Sequence, residues 1–136
     1  MAALEGLCGA LAARRITEAK QQELEKAHED YVKEASQESA DAYYYANERF
    51  HLMIYEACGN AFLAEQARQL HTRLKPYRRL QLRARSRVAN SLSEHQSIVD
   101  AIRAGDGEKA ERVLRDHILI QGERLADFIA SFDRAT

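Results

Sequence analysis

Residues 41–60 read DAYYYANERFHLMIYEACGN, and this stretch decides the fold. Asn47, His51, Ile54 and Cys58 recur at helical spacing, flanked by Ala46, Phe50, Met53 and Ala57, so one face of a helix from about Asp41 to Cys58 is apolar. Gly59-Asn60 then supplies a left-handed stop and the cap of the next helix. Two polar side chains, Asn47 and His51, sit one turn apart within that apolar stripe. A buried histidine must find a hydrogen bond, a charge or a metal.

The same pattern extends in both directions. A helix from about Ala2 to Arg14 places Leu4, Leu7, Cys8, Leu11 and Ala12 on one face. Thr17 caps a second helix that continues to about Ala35 through Leu24, Ala27 and Tyr31, with His28 reading as exposed between Glu25 and Glu29. After Asn60, a fourth helix carries Leu63, Ala67, Leu70 and Leu74 and meets Pro76, which predicts a kink or a break. Ser91-Leu92-Ser93-Glu94 has capping-box spacing and predicts the start of a fifth. A sixth runs from about Glu108 to Phe132, after Gly105-Asp106-Gly107. With one proline and six glycines in 136 residues, the expectation is a single all-α domain over 1–136, an antiparallel bundle of about six helices.

The net charge of −1 offers no global attraction to nucleic acid or anionic lipid. No apolar run is long enough to span a membrane, and Cys8 and Cys58 read as small core residues in a reducing compartment; a cytoplasmic protein is expected.

His95 falls in line with Leu92, Val99 and Ile102, and His117 with Ala110, Val113 and Ile120. Three histidines on three apolar stripes, with Asn47 as a further oxygen donor, suit a borderline divalent ion: zinc first, with nickel or manganese as alternatives. His71 shares a stripe with Ala67 and Leu74 and is an alternative ligand. The acids beside these histidines, Glu48, Glu94 and Asp116, are adjacent in sequence and so are expected on other faces. Seven of the twenty basic residues lie between Arg73 and Arg87. Arg73, Tyr77 and Arg78 fall nearest the inward stripe and are candidate contacts for an anionic ligand, with Ser91, one turn before His95, as a hydroxyl donor.

Several runs in order resemble the FCD domain, the C-terminal effector-binding domain of FadR-type regulators in the GntR family of bacterial transcription factors. They are Leu4-Glu5-Gly6-Leu7, Asn47-Glu48-Arg49-Phe50-His51, Glu56-Ala57-Cys58-Gly59-Asn60, Ser91-Leu92-Ser93-Glu94-His95, Asp100 to Asp106 and Arg115-Asp116-His117. The resemblance implies one divalent metal on Asn47, His51, His95 and His117, with Asn47 where an aspartate is commoner. It implies a small organic-acid effector, a homodimer in which the first and fourth helices are candidate surfaces, and no enzymatic activity. DNA would be bound only through an N-terminal winged-helix domain that these residues do not include. The alternatives are a metal-dependent hydrolase and a metal-free structural bundle.

Overall fold

A computed structural model describes the backbone of residues 1–36, 40–82 and 85–119, and side chains there except at 40 and 77–90. The described residues form six helices and no strand. They are α1 (Ala2–Arg15), α2 (Glu18–Ala35), α3 (Ala40–Ala57), α4 (Ala61–Leu82) and α5 (Arg85–Arg103). The sixth, α6, occupies 107–119, and the rest of its expected length lies outside the described residues. α3 is the hub, packing against α1, α2 and α4, while α5 packs on α1, α2 and α4.

The punctuation read from sequence works as local chemistry. The Thr17 hydroxyl accepts the Lys20 N–H at 3.2 Å, Asn60 Oδ1 accepts that of Leu63 at 3.1 Å, and Asp106 Oδ1 that of Lys109 at 3.1 Å. Each satisfies an N–H that the helix itself leaves open. Gly59 adopts φ +70°, where a side chain would be strained.

Of the kink or break expected at Pro76, the break does not occur, and α5 starts earlier than expected. α4 runs through Pro76 without breaking, and its carbonyl at Thr72 forgoes one helical bond. α5 begins at Arg85, so Ser91 is interior to it rather than an N-cap. Nothing in Arg85 to Asn90 opposes a helix, and the Ser91 hydroxyl is engaged elsewhere, accepting from Tyr31 OH at 2.6 Å.

The phase of α1 also differs. Leu7 is exposed, and the buried face carries Glu5, Gly6, Cys8, Gly9, Ala12 and Ala13. Small residues win this face because α6 comes so close. A Cβ at Gly9 would stand 2.2 Å from Leu114 Cδ1, and one at Gly6 2.5 Å from Arg115 Cγ. The main core combines Cys8, Leu24, Phe50, Ile54, Tyr55, Ile98, Ile102 and Leu114; a second, aromatic cluster holds Tyr31, Tyr43 and Tyr44. Cys8 and Cys58 are free, buried thiols, and burial, with Cys58 beside it, pushes the Cys8 pKa up to about 12.

Leu114 is fully buried where α6 meets α1. Leu114→Ala is therefore expected to cost about 2–5 kcal/mol in urea unfolding. Thr17→Ala, which removes one exposed cap, should cost about 1 kcal/mol in the same assay.

Candidate metal centre

The helical phase that buries Phe50 and Ile54 on α3 also turns Asn47 and His51 inward, both 2% exposed or less. His95 from α5 and His117 from α6 are fully buried and meet His51. One ring nitrogen each of His51, His95 and His117 lies within 4.8 Å of the others, the one such group of potential metal-ligating residues among those described. The His51 and His117 rings lie nearly parallel, centroids 5.4 Å apart, and His95 stands edge-on to both at 5.2 and 4.9 Å.

Each imidazole is held from behind. His95 stacks on Phe50 at 4.2 Å and on Tyr31 at 4.3 Å. His117 Nδ1 contacts Glu94 Oε2 at 2.5 Å, and His51 Nδ1 contacts Glu5 Oε1. A carboxylate on Nδ1 takes its proton as a hydrogen bond and leaves the Nε2 lone pair facing the other way. Glu94 thus turns toward His117, contrary to the expectation that its place next to His95 would point it elsewhere. The side chains of adjacent residues diverge by about 100° on a helix, enough for Glu94 to reach across to α6 while His95 faces α3.

The donor set fits a divalent cation. Among the described residues, His51 Nε2 and Asn47 Oδ1 are buried polar atoms without a hydrogen-bond partner, which a protein interior seldom tolerates. Three neutral imidazole nitrogens and an amide oxygen match the preferences of zinc or nickel.

The other candidates are placed as follows. His71, on α4, is buried 6.3 Å from the His51 ring, but its Nε2 faces Glu48 Oε2 at 3.7 Å, and it is not in the three-histidine group. His28 is buried, not exposed, because Leu24, His28 and Tyr31 share the inward face of α2; its Nε2 bonds Gln96 Oε1 at 3.0 Å. Ser91 is buried beside Tyr31 one turn before His95. Arg73 is exposed and lines a surface groove with Glu65, Arg68, Gln69 and Thr72. Tyr77 and Arg78 belong to α4, but their side chains lie outside the described residues. Sequence reasoning missed Glu5, although its spacing to Cys8 and Ala12 puts it on the same stripe.

Three histidines from separate helices of an all-α bundle thus form a group that could hold a metal ion. The chain belongs to the FCD domain family, whose description matches residues 1–119. Among solved structures, E. coli McbR/YncC is similar in fold, with a TM-score of 0.75 at 21% identity over 89% of this chain and 63% of that one. The chain thus spans under two thirds of that relative's length. No curated protein sequence matches it. Among the described residues, no helix is long and apolar enough to cross a membrane.

Burial holds the His117 pKa below its ordinary 6.5, against the opposing pull of Glu94. The unfolded chain then takes up a proton before the folded chain does, so stability is lost as pH falls through the unfolded value. Urea midpoints of metal-free protein should drop between about pH 7.5 and about pH 5.5. The drop should be smaller in His117→Gln.

Proposed function

We propose that this domain is the ligand-sensing and dimerisation module of a GntR/FadR-type transcription regulator working in the cytoplasm. It binds a small organic acid at a buried divalent-metal site and so controls DNA binding by an attached winged-helix domain. The observation that carries this reading is the convergence of His51, His95 and His117, with two of the three Nδ1 atoms held by carboxylates, inside an FCD domain. Asn47, whose Oδ1 has no hydrogen-bond partner among the described residues, is the fourth ligand. Bound there, the cation would supply a Lewis-acidic position for a carboxylate.

The chain's own residues account for selectivity. Ser91, in the hydroxyl pair with Tyr31, offers a polar contact one turn from His95, and Tyr77 and Arg78 follow along α4 from His71. Arg73, exposed on the same helix in a surface groove, is the remaining effector contact in this reading. Because the three histidines ride on α3, α5 and α6, an effector preferring one spacing of these helices shifts their packing. The exposed Leu7 on α1 and Phe62 on α4 provide apolar surface for a second copy.

Protein purified without chelator and titrated with zinc should take up a single equivalent per chain by elemental analysis. His95→Ala should abolish uptake. With metal loaded, organic acids screened by thermal shift should include one that raises Tm by mass action, and His95→Ala should erase that shift. A wild-type protein that takes up neither zinc nor nickel would sink the metal reading; turnover of the stabilising acid would replace the sensor with an enzyme.

A further inference from the structure

Glu5 is fully buried on α1, a helix that contributes no histidine, yet its Oε1 sits on Nδ1 of His51. A carboxylate withdrawn from water is costly unless paired, and this contact offsets part of that cost in a face otherwise made of glycine, alanine and cysteine. The contact has a directional consequence. With the proton on Nδ1 shared to Glu5, the His51 lone pair lies on Nε2, the atom that is buried without a hydrogen-bond partner.

Charge gives Glu5 a second consequence. Three neutral imidazoles and the amide of Asn47 present no formal negative charge to a dication. Two carboxylates stand one imidazole away, Glu94 behind His117 and Glu5 behind His51. The Glu94 side chain is 21% exposed and partly screened by water, whereas that of Glu5 is at 0% and acts through a dry interior. We propose that Glu5 is the positioning residue that sets metal affinity, supplying from α1 the negative charge that Asn47 does not. This rests on the metal reading above. It also makes the docking of α1 and the loading of the site a single linked event, since the carboxylate rides on that helix.

Glu5→Gln tests the proposal because glutamine keeps an acceptor for the Nδ1 proton and loses only the charge. Zinc titrated into the purified chain by calorimetry should bind about 10–100-fold more weakly to Glu5→Gln than to wild type. Asn47→Asp added to Glu5→Gln should recover about tenfold or more. With a merely structural Glu5, Asn47→Asp would raise affinity by the same factor in wild type and in Glu5→Gln, whereas a shared role in supplying charge makes the gain larger in Glu5→Gln. Zinc should also slow amide exchange along α1 in wild type but not in Glu5→Gln. Should the variant fail to fold, nitrogen NMR of the metal-free wild type decides: a His51 proton on Nδ1 supports the proposal and one on Nε2 overturns it. Equal zinc affinity in wild type and Glu5→Gln overturns this inference alone. No zinc binding by wild type overturns the metal reading with it.

Discussion

The rest of this domain depends on three buried imidazoles that must be brought together and held in orientation. Three rings from three helices meet with their nitrogens within 4.8 Å of one another. Protonating them together would place like charges in an interior that screens poorly. The surroundings hold the rings in place in two ways. Aromatic faces from Phe50 and Tyr31 clamp His95, and carboxylates fix the tautomers of His51 and His117. Packing and electrostatics thus impose the same geometry, and the six helices are the scaffold that delivers it.

The fold was legible because its signals are local. Thr17, Asn60 and Asp106 cap in place, and Gly59 turns where the sequence places a stop, since each needs only its own neighbours to do so. The three histidines were legible for a related reason: helical period alone assigns a face. What escaped depends on tertiary contacts. Leu7 lost its expected burial because Gly6 and Gly9 let α6 approach α1 more closely than a leucine face allows. His28 looked solvated from its charged neighbours, while its true register is set by Leu24 and Tyr31. Ser91 had the spacing of a cap, yet a partner on α2, sixty residues away in sequence, claims its hydroxyl.

Glu5 illustrates the same limit at the candidate site. Its stripe position could have been read from its spacing to Cys8 and Ala12, but a glutamate on an apolar stripe is ordinarily assigned to the edge and left to solvent. Only the packing of α1 against α3 reveals that His51 is the partner that makes its burial bearable. The polar residues around the candidate site are in this sense mutually dependent. Each is improbable alone, and each is explained by another.

That dependence bears on catalysis versus sensing. A hydrolytic centre needs a base on the side of the metal where water is activated, within hydrogen-bond reach of it. Glu94 has the proximity to suggest such a role, but its carboxylate is committed to His117 Nδ1, the nitrogen on the far side of the ring from the one left to a ligand. Glu5 is committed likewise behind His51. Both acids contact a histidine Nδ1, and neither belongs to the group whose ligating atoms lie within 4.8 Å of one another. Glu48 is drawn off toward His71 and Lys75. Carboxylates placed behind the histidines raise the basicity of the donors and stabilise a bound cation. Catalytic and non-catalytic metal sites share that arrangement, so what separates the two readings is a base placed at the point of convergence and not the carboxylates behind the rings.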